Sequence, residues 1–210
     1  MVSEITRRQQ IENTAGTLFR ERGYAATSVR DIAKALDMQG ASLYAHVASK
    51  EDVLWSIVVR AADRFDAAVA PFAADQSLSA AVRLAHMIEA HVRVIADDLG
   101  NTSSFLQEWR FLSPDRRALI AERRDRYEAR FRKVMADGIV TGEFSPTTDP
   151  HLAATLILSA LNGIATWYRP TGSLTPAEIA TRYASLLIDG LRPHPTADYP
   201  EPDAAGRLLR

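Results

Sequence analysis

The stretch TSVRDIAKALDMQGASLYAHVASKEDVL, from Thr27 to Leu54, carries the clearest structural signal of the sequence. Its first half repeats apolar residues at the spacing of a short helix that ends near Leu36. Only residues 37–39 then separate this helix from a second helical piece that begins at Gly40. Two short helices joined by so tight a turn predict a helix-turn-helix.

The rest of the chain also follows helical periodicity, and no run of the sequence alternates apolar and polar residues as a strand would. We predict an all-α protein of about nine helices, with an N-terminal three-helix domain over residues 1–48 that carries the helix-turn-helix. A C-terminal helical domain follows over residues 49–192, and residues 193–210 are predicted to form a mobile tail because they lack a periodic apolar face. An amphipathic helix from Lys50 to about Ala70, ended near Pro71, is predicted to be the hinge between the domains.

Composition narrows the class of protein. With 47% apolar and 24% charged residues, the chain has the composition of an ordinary globular protein. The sequence has no cysteine, which excludes disulfides and thiolate metal sites, and no apolar run long enough to span a membrane. We therefore expect a cytoplasmic protein with no membrane partner. The net charge of −1 excludes a broadly basic surface, but it leaves room for a local DNA-binding patch.

The second helix of the motif has the chemistry of a DNA-reading element. Small side chains let its backbone come close to base edges, and one amide can pair with adenine. The candidate base-reading residues are Gln39, Gly40, Ala41 and Ser42. The candidate phosphate-binding residues, which would fix the register on the duplex, are Thr27, Ser28, Arg30, Tyr44, His46 and Lys50.

The segment from Ile11 to Ile57 resembles the DNA-binding signature of the TetR family of bacterial transcription repressors. The shared positions are Phe19, Gly23-Tyr24, Ala26-Thr27, Ile32-Ala33, Leu43-Tyr44, His46 and Lys50. Asp37 stands where the family commonly has a turn glycine, and Val47 stands where it has an aromatic residue. Aspartate tolerates the left-handed conformation better than most residues, so we expect the turn to survive. The resemblance implies a repressor that binds a palindromic operator and releases it when a small effector binds.

A helix-turn-helix regulator needs two copies, because its half-sites lie about 34 Å apart or a multiple of that distance. The two C-terminal helices are more apolar than a single core requires, and the resemblance implies a four-helix bundle there. The candidate residues of this homodimer interface are Leu152, Leu156, Ile179, Tyr183 and Leu187. The alternative is that these side chains form the core of one chain.

A set of aromatic residues with a few polar neighbours lies between the hinge and the C-terminal helices, as expected for a ligand pocket and also for any helical core. The candidate ligand-binding residues are Phe65, His91, Phe105, Trp109, Arg110, Tyr127, Arg130, Phe131, Asn162 and Trp167. From Phe105 to Lys133 there are nine basic and five acidic residues. The basic residues either line a site for a phosphate-bearing ligand or belong to a solvated helix face. This part of the chain resembles the acyl-CoA-responsive regulators of fatty-acid degradation. The resemblance implies an acyl-CoA effector, and the alternative is another apolar metabolite or a drug.

Other classes of protein fit less well. The sequence has no phosphate loop, nucleophile elbow or dinucleotide fingerprint, so we expect no enzyme, no catalytic residue and no cofactor. His86 and Glu89 share a helical face, but His91 lies five residues after His86, which is awkward for a shared metal ion. A scaffold of helical repeats would show a period of about 34 to 47 residues, and none is visible.

Overall fold

A computed structural model describes residues 6–193, and all the regular structure in that range is helical. The nine α-helices are α1 (Arg7–Arg22), α2 (Val29–Ala35), α3 (Gly40–Tyr44), α4 (Lys50–Ala74), α5 (Ala80–Asp97), α6 (Leu99–Ser103), α7 (Pro114–Val140), α8 (Pro150–Trp167) and α9 (Pro176–Asp189). A π-helical turn, Ser104–Glu108, and a 3-10 turn, Trp109–Phe111, join α6 to α7. The all-α prediction is confirmed. The predicted tail lies outside the described residues except for Pro193.

Helices α1 to α3 form the head of the molecule, and helices α4 to α9 form its body. Ser28 caps α2 in a reciprocal capping box with Asp31, which satisfies helix N–H groups that would otherwise lack partners. Phe19, Ile32 and Leu43, one from each helix, are fully buried. Asp37 has a φ of 52°, so it adopts the left-handed conformation expected of a residue in the position of a turn glycine. The predicted helix-turn-helix is therefore present.

Helix α4 is longer than predicted. It begins after Ser49, whose hydroxyl accepts a hydrogen bond from the Asp52 amide, and it runs through Pro71 to Ala74. The predicted end near Pro71 is wrong, because buried Val69 and Ala73 on either side of the proline hold the last turns against the body. This packing offsets the roughly 3 kcal/mol that an interior proline costs a helix.

Helix α5 lies at the centre of the body, where it packs against α4, α7, α8 and α9. Its apolar stripe includes fully buried Leu84, Met87 and Ile88. Arg83 is also buried, and its guanidinium pairs with Asp137 of α7 at 2.9 Å while donating to the Ala73 carbonyl of α4. This one charged side chain therefore ties three helices together.

Helix α6 connects the body to the head, because it packs against α1 at glycines on both sides. A Cβ atom placed on Gly100 would lie 3.1 Å from the backbone of Gly16, which is closer than most side chains allow. Helix α4 also contacts α1 at one end and the body at the other. The boundary between residues 48 and 49 therefore stays a prediction.

Candidate DNA-binding surface and effector pocket

Two of the four predicted base-reading residues are exposed, one at the N-cap of α3 and one within this helix. Gln39 and Ser42 are exposed, and Gly40 is partly buried at the start of the helix, which also contains Ala41. On the opposite side of α3, Leu43 is fully buried in the head and anchors this short helix. The exposed face can therefore approach a DNA groove with small side chains in front.

Four of the predicted phosphate-binding residues flank this face and are exposed: Ser28, Arg30, Tyr44 and His46. Tyr44 is 56% exposed although it is aromatic. Ser28 lies at the N-cap of α2, where its hydroxyl is also hydrogen-bonded to the Asp31 carboxylate. The four residues are placed where a DNA backbone could reach them.

Thr27 is different, and its predicted phosphate contact is wrong. Its side chain is only 1% exposed, and the hydroxyl donates to the Gly23 carbonyl at 2.9 Å. Its backbone N–H donates to the Tyr24 carbonyl. Thr27 therefore closes the connection between α1 and α2, which is a structural role that its neighbour Ser28 does not share.

Lys50 has a structural role that sequence reasoning missed. Its ammonium donates to the Tyr24 and Thr27 carbonyls, both at 2.8 Å, and lies 4.1 Å from the centre of the Tyr24 ring. Burial lowers the pKa of Lys50. Two of its three donors are thus used within the head, and its phosphate contact stays a prediction.

A cavity of about 310 Å³ lies between α4, α5, the π-helical turn, α7 and α8. Its volume is at the lower end of the range for small-molecule sites, roughly 300–1,000 Å³. The lining residues are Ala62, Phe65, Asp66, His91, Phe105, Leu106, Arg123, Arg124, Asp125, Arg126, Tyr127, Glu128, Arg130, Thr155, Leu158, Ser159 and Asn162. The lining includes the aromatic residues Phe65, Phe105 and Tyr127, and α7 contributes four arginines to it.

The structure brings together six of the predicted ligand-binding residues around this cavity: Phe65, His91, Phe105, Tyr127, Arg130 and Asn162. Their rings contact one another, and the Phe65 ring centre lies 4.7 Å from that of His91 and 5.5 Å from that of Phe105. The aromatic residues predicted from separate helices therefore do form one wall.

The other four predicted ligand-binding residues lie outside the cavity lining, and we correct them. Phe131 is fully buried one turn after Tyr127, in the core behind the cavity wall. Trp167 is 43% exposed at the last turn of α8, and Arg110 is exposed on the 3-10 turn. Trp109 lies behind the wall, where its ring contacts the guanidinium of Arg124 at 5.3 Å.

His91 is the most deeply buried polar residue of the cavity, at 2% exposure. Its Nδ1 lies 2.8 Å from the Tyr127 hydroxyl. Burial lowers the pKa of His91 to about 3, an effect that the Asn162 side chain opposes and Arg124 reinforces. Burial likewise raises the pKa of Tyr127, and the nearby Asp66 charge adds to the rise. Both groups are therefore neutral near pH 7.

Two arginines of α7 that line the cavity form ion pairs with carboxylates of α4. Arg130 holds Asp66 through two nitrogens, with distances of 2.9 to 3.1 Å, and Arg123 pairs with Asp63. We call these contacts the α4–α7 ion pairs. Arg124 has no such carboxylate in the part of the chain that the structure describes, and it lies against the Phe105 ring at 5.5 Å.

Arg124 is a pocket residue that sequence reasoning counted among the basic residues but did not single out. Burial lowers its pKa, although an arginine stays charged at any physiological pH. The available signal was its spacing, because Arg124 lies three residues before Tyr127 and therefore on the same helix face.

The C-terminal helices carry an exposed apolar face. Leu152 and Leu156 of α8 are 68% and 63% exposed, while Tyr183 and Leu187 of α9 are partly buried. Leu186, which the sequence reasoning missed, is 77% exposed. Ile179 is only 1% exposed within the chain, so we correct its predicted interface role. Its side chain packs into the core of the single chain, which was the alternative to an interface role.

Within residues 6–193, none of the helices combines the length and the apolar character that a membrane span requires. No three histidine, aspartate or glutamate side chains in this range come together as a metal ion would need.

A helix-turn-helix head joined to a helical body with an aromatic cavity defines a DNA-binding regulator with a site for a small molecule. The chain belongs to the TetR family of bacterial regulators. Residues 11–57 match the profile described as "Bacterial regulatory proteins, tetR family", and residues 77–191 match "Tetracyclin repressor-like, C-terminal domain". The family consists of transcription regulators, not enzymes.

Individual relatives agree with this family over nearly the whole chain. The transcriptional repressor KstR2 of Rhodococcus jostii is 30% identical, over 90% of this chain and 93% of its own. The structure of the ketosteroid transcriptional regulator KstR2 of Mycobacterium tuberculosis superimposes with a TM-score of 0.84 at 28% identity, covering 92% of this chain and 98% of that one. AibR, in complex with isovaleryl coenzyme A and operator DNA, has a TM-score of 0.77 at 27% identity, covering 87% and 98%.

Proposed function

We propose that this protein is a cytoplasmic, homodimeric repressor that binds a palindromic operator and is released by an acyl-CoA thioester. The observation that carries the proposal is the cavity, whose lining combines aromatic side chains with four arginines of α7, in the same chain as a helix-turn-helix. The likeness to AibR, whose complex holds both isovaleryl coenzyme A and operator DNA, supports this combination of ligands.

The cavity lining offers groups for the two parts of an acyl-CoA. Phe65, Phe105 and Leu158 offer apolar surface for an acyl chain. The cavity of about 310 Å³ is too small for a whole thioester, so the nucleotide would stay outside. Arg124 and Arg126, which α7 contributes to the lining, would then contact its phosphates, since arginine binds phosphate oxygens with paired donors.

A second candidate effector is an uncharged apolar metabolite or drug. The α4–α7 ion pairs favour it, because Arg123 and Arg130 already have carboxylate partners. Asp125 and Glu128 also line the cavity, so the charge around it is mixed. An acyl-CoA would need the remaining arginines, above all Arg124, to outweigh these carboxylates.

The exposed leucines of α8 and α9 support a homodimer. Together Leu152, Leu156 and Leu186 present an apolar surface that a monomer would leave in water. Pairing the two C-terminal helices of each copy would bury this surface and hold two reading helices at a fixed separation. We expect Leu156→Glu to give monomers in analytical ultracentrifugation, whereas the change Leu119→Glu at an exposed leucine of α7 should leave the dimer intact.

Two connections lead from the cavity to the head. Phe105 and Leu106 lie on the π-helical turn that continues α6, and α6 packs against α1. Phe65 lies on α4, whose first residue, Lys50, is bonded to head carbonyls. An effector that displaces these rings would therefore move the reading helices, and a coupling of roughly 1–3 kcal/mol would weaken operator binding about 5- to 150-fold.

The test is a fluorescence anisotropy titration against the DNA upstream of the protein's own gene, with and without acyl-CoA thioesters, and with free coenzyme A as control. We expect tight binding that falls with salt and is released by one class of thioester. Arg124→Gln should weaken release, while Arg117→Gln, at an exposed arginine of the same helix outside the cavity, should not. Operator binding that no thioester releases would overturn the effector, and no specific binding would overturn the repressor.

A further inference from the structure

A stacked pair of aromatic rings joins the body directly to the head. Phe111 lies on the 3-10 turn between α6 and α7, and Tyr24 lies on the connection between α1 and α2. Their ring centres are 5.4 Å apart, with an angle of 30° between the ring planes. Phe111 is 49% exposed, whereas the next residue, Leu112, is only 3% exposed. The Phe111 ring therefore adds little to the core of the body, and it packs against a residue of the head.

The same 3-10 turn reaches the cavity at its other end. Trp109, two residues before Phe111, has its ring centre 5.3 Å from the guanidinium carbon of Arg124, which lines the cavity. The π-helical turn that immediately precedes Trp109 contributes Phe105 and Leu106 to the lining. Short 3-10 and π-helical turns often mark hinges. A change at the cavity wall can therefore alter the position of the Phe111 ring.

Within the head, Tyr24 is tied to the start of α2. Its ring contacts the ammonium of Lys50 at 4.1 Å and the ring of Phe19 at 5.1 Å between ring centres. The same ammonium accepts no other role in this region than to bind the carbonyls of Tyr24 and Thr27. Thr27 directly precedes Ser28, which is the N-cap of α2. The position of Tyr24 is therefore linked to the position of the helix-turn-helix.

The strength of this stack is suited to regulation. An aromatic pair changes an equilibrium constant by about two- to tenfold. Coupling between an effector site and a second binding site is typically about 5- to 150-fold. A contact of this strength can therefore bias the orientation of the head, and an effector can still overcome it.

We propose that the stack between Phe111 and Tyr24 holds the head in its operator-binding orientation, and that an effector in the cavity releases the operator by breaking it. The inference deepens the proposed function, on which it rests, by naming the contact through which the cavity regulates the head. An anionic effector attracts the Arg124 guanidinium away from the Trp109 ring. The resulting shift of the 3-10 turn separates the two stacked rings.

Two conformers of this kind give a quantitative expectation. Removal of a contact that only the operator-binding conformer makes shifts the equilibrium towards the effector-binding conformer. Operator binding then weakens, and effector binding tightens. If each ligand binds one conformer only, the product of these two fold-changes equals the change in the conformational equilibrium constant. We expect this product to be about two- to tenfold for Phe111→Ala.

The experiment measures both affinities with the full chain. Operator affinity is measured by fluorescence anisotropy without effector. Effector affinity is measured by calorimetry without DNA, and the probe is the acyl-CoA thioester that releases the operator from the wild type. Phe111→Ala should change the two affinities in opposite directions, whereas a loss of folded protein would weaken both. Changes in the same direction, or a product near one, would overturn the inference and leave the proposed function standing.

Two matched variants separate the stack from a general effect of losing a ring. Phe72→Ala removes a partly buried ring that stacks on His86 at 5.0 Å, outside the cavity lining and at the opposite end of α4 from Lys50. It should leave both affinities unchanged. Phe111→Tyr keeps the ring and should restore both wild-type affinities. A change in Phe72→Ala equal to that in Phe111→Ala would overturn the inference.

Two further measurements exclude other causes in Phe111→Ala. Thermal melting shows whether the variant is folded. The slope of log operator affinity against log salt concentration should equal that of the wild type, because the substitution removes no phosphate contact. A changed slope would assign the effect to the DNA contact itself and overturn the inference.

A final arm covers the failure of all thioesters. If none releases the operator from the wild type, the effector part of the proposed function fails, and operator affinity alone decides the inference. Phe111→Ala should then bind the operator more weakly than Phe72→Ala. Equal operator affinities of the two folded variants would overturn the inference, and the absence of specific operator binding would overturn the inference and the repressor together.

Discussion

Burial of His91 makes the stability of the fold depend on pH in a defined direction. Its pKa falls from the ordinary value of 6.5 to about 3 because the ring is removed from water. Below about pH 6.5, the unfolded chain therefore binds a proton at His91 that the folded chain binds only near pH 3. The contribution is fully present above pH 6.5 and is lost progressively as the pH falls from there towards 3.

The size of the effect follows from the shift. Each pH unit below 6.5 costs about 1.4 kcal/mol while the folded ring stays neutral. Between about pH 7.5 and 5.5 the loss through His91 alone is therefore about 1.4 kcal/mol. Other groups also titrate in this range, so the quantity to measure is the difference between wild type and His91→Gln, whose side chain does not ionise.

The assay is urea unfolding at both pH values and at one fixed protein concentration, since the unfolding of the proposed homodimer would depend on concentration. We expect wild type to lose about 1.4 kcal/mol more than His91→Gln on acidification. Any constant cost of the substitution, such as the lost bond to Tyr127, cancels in this comparison. Equal losses in the two proteins would refute the reasoning, because they would mean that the folded chain accepts the proton at His91.

Three further predictions concern the head and its connection to the body. Asp37→Ala should lower the free energy of unfolding by about 1 kcal/mol, measured in urea, because alanine tolerates the positive φ less well. Lys50→Met should lower the free energy of unfolding by about 1–3 kcal/mol, more than Lys34→Met, because it leaves two carbonyls unpaired. If Lys50 binds no phosphate, the slope of log operator affinity against log salt concentration will not change in this variant. Gly100→Ala and Gly138→Ala should both lower the melting temperature by overpacking, but only the first, at the contact with the head, should change operator affinity.

The head could be predicted from sequence because its signals are local. The spacing around residues 37–39, the capping pair Ser28 and Asp31, and the tolerance of Asp37 for a left-handed turn all act within a few residues. Such interactions depend little on the rest of the fold. Thr27 was misassigned because its residue type does not show that it is buried, with its hydroxyl donating to the Gly23 carbonyl and to the Leu18 carbonyl of α1.

The pocket could be predicted only in part. Periodicity indicates which face of α7 turns inward, but Tyr127 and Phe131 share that face one turn apart. Only the packing of α4, α5 and α8 against α7 decides that the first lines a cavity and the second fills the core. The same limit applies to Ile179 and Leu186 of α9, because apolar character alone does not tell an inward side chain from one that faces outward.

The α4–α7 ion pairs bear on how a salt titration of this protein should be interpreted. Arg123 and Arg130 hold their carboxylates near the surface, where dissolved ions screen such attractions. Raising the ionic strength therefore weakens two sets of interactions at once, the contacts with DNA and the α4–α7 ion pairs. In the wild type alone, the slope of log operator affinity against log salt concentration would therefore combine two effects, the release of counterions from DNA and the weakening of these ion pairs. The same titration on a variant with Asp63 and Asp66 replaced by asparagine would provide the baseline against which phosphate contacts can be counted.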